Sequence, residues 1–418
     1  MNGLIYTSNL DGHREIFTNV ICGLFLELGA RVFLLIPVQE KEKLIYFPYI
    51  DILLNLNDIQ IIPYRQDYDN NNLSLSADEL IAIQKKYKID VTFFEGGDLF
   101  IPEIIRLSES RKTLYAYNLG IFSFTYSWYP NENPYTGNKE LNGTSIYRGL
   151  KYLKNKLLNN HTYFDEVKKE PHYFFPEYLS DGKIFNKVLM ADERVANKYG
   201  DPFLWQPSIY RSFMKLDEAI FSEESNNYLI PYYDFLSKNC DKKVLLYFGS
   251  SYKHRGYDKL LRLAVSDSGS CFVHCGKKLN ETLGDPNIAA LLTKLYKENR
   301  IFETDSYIKS FDIIDEFYNS TDSVISTHNY LGPSGTMIHA ISLGKPILTP
   351  DKGLIGYRTK KNNLGLTYIH NSERDLLTKW SEMKNIKKQQ FEKSLKNYSQ
   401  LFTKEYLLNN FKKALNIR

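Results

Sequence analysis

Two stretches of this sequence combine small residues, cations and helix starts in a way that suits binding of an anion. In VLLYFGSSYKHRGYDKLL, residues 244–261, an apolar run gives way to Gly249 and Ser250, then to Lys253, Arg255 and Gly256, and a helical pattern follows. Backbone N–H groups at a helix start, joined by a lysine and an arginine, are the donors that a diphosphate requires. In STHNYLGPSGTMIHAISLGKPILTPDKGLIG, residues 326–356, a small-residue loop from Gly332 through Ser334 and Gly335 to Thr336 precedes a second helical run. A serine or threonine there can cap that helix and leave its other amides aimed at an anion. Read singly, the first stretch equally describes a solvated basic loop and the second a tight turn with a good cap.

The first half offers different chemistry. His13 sits in the turn between an apolar run and a helical pattern, and an imidazole, titrating near neutrality, can act as a general base toward a hydroxyl. Glu95 and Asp98, in FFEGGD after another apolar run, can orient that imidazole or bind hydroxyls. The alternative is that His13 caps the helix and the two acids solvate a loop. Arg14 can reach a phosphate or an anionic acceptor. Phe122, Phe124, Tyr126 and Trp128 alternate along one face, either as a sugar-stacking platform or as core. Asp67-Tyr68-Asp69 imitates a metal-binding DxD, but it lies in a polar, asparagine-rich loop, so no metal is assigned.

These residues must be positioned by alternating strands and helices. Leu4 to Thr7, Val32 to Ile36, Asp90 to Phe94, Thr113 to Tyr117 and Lys187 to Met190 read as buried strands. Ile16 to Leu28 recurs at helical spacing until Gly29. A second series comprises Val244 to Phe248, Cys271 to Cys275, Ile301 to Glu303, Ser323 to Ser326 and Pro346 to Leu348. His274 and Cys275 fall among them as strand residues. The layout predicts an α/β protein of two Rossmann-like wound domains facing across an interdomain cleft. Residues 1–205 form the first, with an aromatic and basic insertion near 121–183, and residues 206–395 the second, with the linker within 201–243. Residues 396–418 form a closing helix that packs back towards the first domain, with Tyr406, Leu407, Phe411, Ala414 and Leu415 on one face.

Composition narrows the class. With 418 residues, 43% hydrophobic and 24% charged, each half can bury its own core. A net charge of +4 is spread over the chain rather than clustered, so no nucleic-acid partner is expected. Cys22, Cys240, Cys271 and Cys275 show no CxxC spacing, which fits a reducing compartment. The sequence has no signal-like start and no apolar stretch long enough to span a bilayer, which predicts a cytoplasmic protein. Between Tyr147 and Lys169, Arg148, Lys151, Lys154 and Lys156 interleave with leucines. That pattern suits either a solvated helix face or peripheral contact with an anionic membrane surface.

Taken together, the two small-residue stretches resemble the donor domain of GT-B glycosyltransferases, particularly family 4 (glycosyl transferases group 1). The resemblance rests on Gly249, Lys253, Arg255 and Gly256, then Asp322, Gly332 to Thr336, and His339-Ala340 with Gly344 and Pro346, over residues 244–370. It implies transfer of a sugar from a nucleotide diphosphate, UDP- or GDP-linked, to a glycan or lipid-linked acceptor, as in bacterial surface polysaccharide synthesis, with no cofactor and no metal. It implies donor contacts from Gly249, Ser250, Lys253, Arg255, Gly332, Ser334, Gly335 and Thr336, with Tyr307 beside the base. Arg14 and Trp128 would serve the acceptor at the inner face of the membrane. The family's two glutamates, eight positions apart, fall here on Leu331 and His339. His339 can still bond a ribose hydroxyl, whereas Leu331 cannot bond a sugar through its side chain, and the backbone of Gly332 to Gly335 takes its place. The family implies retention at the anomeric centre, while His13 with an acid nearby would suit an inverting base. An epimerase of the same fold, or a non-catalytic sugar-nucleotide or glycan-binding scaffold, would share the donor features.

Overall fold

The runs GLIY and VFLLI are apolar on both faces, a pattern that is stable only inside a parallel sheet covered on both sides by helices. The computed structural model describes residues 1–7, 10, 13–38, 49, 51–52, 56, 58–64, 75–95, 114–122, 185–201, 203–207, 218–251, 255–328, 334–387 and 389–417. Its contacts divide the chain into two compact units, Met1–Ser212 with Lys404–Arg418, and Phe213–Thr403.

The first unit holds a seven-stranded parallel sheet in the order β3-β2-β1-β4-β5-β6-β7. Its strands are β1 (Asn2–Tyr6), β2 (Arg31–Pro37), β3 (Ile59–Tyr64), β4 (Val91–Phe94), β5 (Tyr117–Phe122), β6 (Lys187–Met190) and β7 (Phe203–Trp205). Register puts Ile5 opposite Leu34 on one side and Phe93 on the other, all buried. Helix α1 (His13–Glu27) ends where Gly29 takes φ +68°. Its Phe25 ring lies against the strand so closely that a Cβ on Gly3 would stand 2.6 Å from it. The last helix, Lys404–Ala414, packs on α1, with the Phe411 ring edge-on to Phe25 at 5.0 Å and 6.0 Å from Phe93. Lys404 pairs with Glu27, and the Tyr117 hydroxyl donates to the Ala414 carbonyl at 3.1 Å.

The strand expected at Thr113 to Tyr117 begins at Tyr117 instead. Asn118 can lie inside the sheet because its amide is satisfied by the Ala116 carbonyl at 2.7 Å and its N–H by Asn186 at 2.7 Å. The segment read as linker contains β7, helix α2 (Glu218–Glu224), a π-helical turn (Ser225–Leu229) and helix α3 (Ile230–Ser237).

The second unit holds a six-stranded parallel sheet in the order β10-β9-β8-β11-β12-β13. Its strands are β8 (Lys243–Phe248), β9 (Ser270–Cys275), β10 (Ile301–Glu303), β11 (Ser323–Ile325), β12 (Ile347–Pro350) and β13 (Gly365–Tyr368). Between them run α4 (Tyr257–Ser266), α5 (Pro286–Lys297), α6 (Phe311–Asn319), α7 (Gly335–Ser342) and α8 (Gly353–Lys361), and α9 (Glu373–Asn385) and α10 (Gln389–Ser399) follow. The buried Trp380 of α9 donates from its indole to Asp267 at 2.7 Å, and Lys384 donates to the same carboxylate at 2.8 Å. Among the described residues no helix is long and apolar enough to cross a membrane. Because Phe411 is fully buried among Phe25 and Phe93, Phe411→Ala should destabilise the first unit by about 3–5 kcal/mol. Urea unfolding followed by tryptophan fluorescence and circular dichroism would read that loss as a lowered midpoint.

Candidate functional site

In the second unit the chain leaves β8 for β9 on one side, and β11 later arrives on the other. At such a reversal the loops following the two strands diverge and leave a crevice beyond their carboxyl ends, the usual ligand position in wound sheets. The loop after β8 opens with Gly249 at φ +127° and closes with Gly256 at φ +68°. Space adds a second constraint: a Cβ on Gly256 would stand 2.3 Å from the Thr327 carbonyl oxygen, and one on Gly249 would stand 2.2 Å from Arg255 Nη1. The turn after β8 therefore rests on the turn after β11, and the Arg255 guanidinium lies over Gly249. Thr327 Oγ1 donates to the Arg255 carbonyl at 2.8 Å, and Thr336 Oγ1 donates to the Phe248 carbonyl at 3.2 Å. Ser250 follows Gly249 at the end of β8, and Gly335 and Thr336 open α7, so the two turns occupy the same edge of the sheet.

Two hydroxyls there are orphaned. Ser334 holds the N-cap position of α7 with an extended backbone, yet its side chain makes no capping bond. Its Oγ and that of Ser326, just past β11, are buried without a partner among the described residues. Unsatisfied buried hydroxyls are uncommon in folded proteins.

Beneath Gly249 lies a buried charged cluster. Opposite each other in register near the carboxyl ends of β9 and β10 stand His274 and Glu303, and Nδ1 of the imidazole is 2.9 Å from Glu303 Oε1. Nε2 is 2.9 Å from the Gly249 carbonyl oxygen. Glu303 also accepts from the hydroxyls of Tyr257 and Tyr296. Burial pushes its carboxyl up, but the hydrogen bond and charge of His274 and the two hydroxyls outweigh that and hold it at about 2.

Tyr307 stands in the loop between β10 and α6, 59% exposed. Glu224 fixes that loop by accepting from the amides of Lys309 and Ser310, each at 2.8 Å, and Ser306 Oγ donates to the Tyr228 hydroxyl of the π-helical turn at 2.5 Å. Burial raises the Glu224 carboxyl even against those two amides. His339 is 6% exposed, 2.7 Å from Asp315 through Nε2, and packed between Phe311 and Tyr318. Its ring lies in the α6–α7 helix layer. Lys253, Leu331 and Gly332 lie outside the described residues.

In the first unit the strand order reverses between β1 and β4. Helix α1 begins at His13 and Arg14, whose side chains lie outside the description, and Glu95 directly follows β4. Glu95 is 1% exposed and accepts from Thr18 of α1. Burial first, and the Glu95 charge second, push the neighbouring Cys22 thiol up. Asp98, Trp128, the Asp67 to Asp69 loop and the basic stretch 147–169 lie outside the described residues.

Sequence reading missed Ser326, Thr327, Glu224 and the pairing of His274 with Glu303. The last had a signal: a histidine inside the otherwise apolar SCFVHC must find a polar partner on a neighbouring strand, and IFE supplies it at the matching end.

Two units, each a parallel α/β sheet with helices, define the GT-B fold. No protein-family model and no curated protein matches the sequence. Solved structures resembling the whole chain include a glycosyltransferase from Rickettsia africae, at 14% identity over 99% of this chain and 98% of that one, with a TM-score of 0.60. HepE from Anabaena in complex with UDP matches at 11% identity over 99% of both chains, with a TM-score of 0.61. A putative UDP-N-acetylglucosamine 2-epimerase from Listeria monocytogenes matches at 12% identity over 98% and 94%, with a TM-score of 0.53.

The Glu303 carboxyl, lowered from 4.5 to about 2 on folding, stabilises the protein above about pH 4.5, and that contribution disappears as pH falls towards 2. Urea midpoints measured from pH 6 down to pH 2 should show this loss in the wild type, and Glu303→Gln should flatten that part of the profile.

Proposed function

We propose that this chain is a glycosyltransferase whose second unit binds a nucleotide diphosphate sugar, UDP- or GDP-linked, across the carboxyl ends of β8 and β11. The interlocked turns carry the reading. They bring one guanidinium, the amides of Ser250, Gly335 and Thr336, and two orphaned hydroxyls to one edge of the sheet. Arg255, joined by Lys253, neutralises charge growing on the departing diphosphate, so the reaction proceeds without a metal. Gly249 and Gly256 let the two turns close on each other, Gly332 and Gly335 carry the sugar contacts that Leu331 cannot make, and Tyr307 stacks on the base. The burial of His339 between α6 and α7 supports a positioning role for that ring behind the α7 amides rather than direct ribose contact.

The first unit takes the acceptor, a glycan or lipid-linked sugar of a bacterial surface polysaccharide, through Arg14 and Trp128. His13, with Glu95 and Asp98 behind it, orients or deprotonates the acceptor hydroxyl. Retention at the anomeric centre follows from the resemblance to family 4. The HepE complex with UDP supports the donor class, since that fold holds a nucleoside diphosphate. The epimerase among the similar structures supports one rival, conversion of a nucleotide sugar with no acceptor.

Incubation with UDP-glucose, UDP-N-acetylglucosamine or GDP-mannose and a lipid-linked acceptor, followed by chromatography, separates the two. Release of nucleoside diphosphate that depends on acceptor is expected; a second nucleotide sugar formed without acceptor would identify the epimerase.

Arg255→Ala should weaken nucleoside diphosphate binding by about 10- to 100-fold, the range for a lost charge-assisted hydrogen bond, as read by titration calorimetry. Ser334→Ala removes a hydroxyl that folding leaves unsatisfied. The unliganded protein should therefore melt at the same temperature or slightly higher, while affinity for the donor nucleotide falls about tenfold.

A further inference from the structure

The buried pair His274 and Glu303 lies outside the donor residues assigned above, and its chemistry is defined by what each ring nitrogen faces. Nδ1 is 2.9 Å from the Glu303 carboxylate and Nε2 is 2.9 Å from the Gly249 carbonyl oxygen. Both oxygens only accept, and a neutral imidazole carries one N–H, so both bonds form together only when the ring is an imidazolium. The other groups packed around the pair donate or are neutral. Tyr257 of α4 has its ring 4.7 Å from the imidazole and its hydroxyl on Glu303. Tyr247 of β8 packs edge-on at 5.5 Å, Tyr296 of α5 donates to Glu303, and Lys278, following β9, reaches Glu303 at 3.4 Å. Lys278 also lies 3.9 Å from the Asp305 carboxylate, so the imidazolium and Lys278 are balanced by Glu303 and Asp305 beneath the turn after β8.

The bond from Nε2 also fixes a peptide plane. In a trans peptide the N–H points opposite to the C=O, so holding the Gly249 carbonyl inward turns the Ser250 N–H outward. That amide donates to no described residue. Gly276, at φ +150°, admits the plane: a Cβ there would stand 2.5 Å from the Gly249 carbonyl carbon and oxygen. Packing alone does not require a charged pair at this depth, since two desolvated charges are seldom worth more than well-packed apolar residues.

We propose that His274 is a positioning residue for phosphate recognition: as an imidazolium held by Glu303, it locks the Gly249–Ser250 peptide with its N–H directed at the diphosphate. This inference rests on the donor reading above and adds to it the residue pair that sets the turn.

The test uses the full-length chain with UDP and GDP as probes. Nitrogen-15 spectra of the wild type at pH 7.5 should show both ring nitrogens of His274 protonated; a neutral ring with one bare nitrogen would overturn the proposal. Glu303→Gln keeps the shape of the pair but removes the charge that retains the proton. Nucleoside diphosphate binding by this variant should approach that of the wild type at pH 5.5 and fall about tenfold further behind it by pH 8.5. A deficit of constant size, or none, would mean the pair only packs. His274→Gln should lose affinity at every pH, and the loss should be greater for UDP than for uridine. If either variant fails to fold, the spectrum of the wild type decides. Failure of the wild type to bind UDP or GDP overturns the donor reading and this inference with it, whereas normal wild-type binding with pH-independent behaviour in Glu303→Gln overturns this inference alone.

Discussion

The arrangement of the second unit depends on one close approach, that of Gly256 to the Thr327 carbonyl oxygen. No residue with a side chain can stand there, because its Cβ would be 2.3 Å from that oxygen and its φ would be +68°. Once that contact is made, the carbonyl of Arg255 meets Thr327 Oγ1, the guanidinium folds over Gly249, and α4 starts beside the end of β11. The cation and the amides of two different loops thus share an edge because a glycine permits the loops to touch. The parallel pairing of β8 with β11 sets the approximate position, and the missing methyl group sets the final ångström.

Polar groups are treated differently at the two ends of this sheet. Near the amino ends the Asp267 carboxylate is surrounded by Ser270, Trp380 and Lys384, and Arg300 donates to the carbonyls of Ala264 and Asp267. Hydrogen bonds lower the Asp267 carboxyl against the effect of burial. These are closed structural networks that tie α9 and α4 to the strands. At the carboxyl ends the Ser326 and Ser334 hydroxyls remain unpaired, and α7 starts without a side-chain cap. A protein can tolerate such a deficit where a ligand removes it, and stability is commonly lower where function requires an incomplete surface.

The sequence made the second sheet legible because its strands are apolar on both faces and bounded by Gly, Asp or Pro. Val244 to Phe248, Cys271 to Cys275 and Ile301 to Glu303 fall within one residue of the observed strands. Legibility failed where long-range bonds override local pattern. TLYAY alternates like a strand, yet the sheet takes YNLGIF, whose asparagine is acceptable only because Asn186 and Ala116 are already in place to bond it. The helices in 218–237 were hidden by Pro231, which lies in the first turn of α3, where a missing N–H costs nothing. At the site, glycines and serines announced the turns. The partner of His274 was not local, lying 29 positions away on the next strand but one in space from β8.

A turn that binds through N–H groups constrains its residues to be small or to tolerate positive φ, and it leaves the side chains around it free to vary. Gly249, Gly256 and Gly276 satisfy that requirement, while the residues behind them can be replaced by other solutions that hold the same peptide planes. Here His274 of β9 and Glu303 of β10 stand behind the Gly249 carbonyl. A chain can therefore keep the two wound sheets at 11% identity to another protein of that fold and match no family model. The constraint on the turn lies in the room left at Gly249, Gly256 and Gly276 rather than in the identity of the side chains around them.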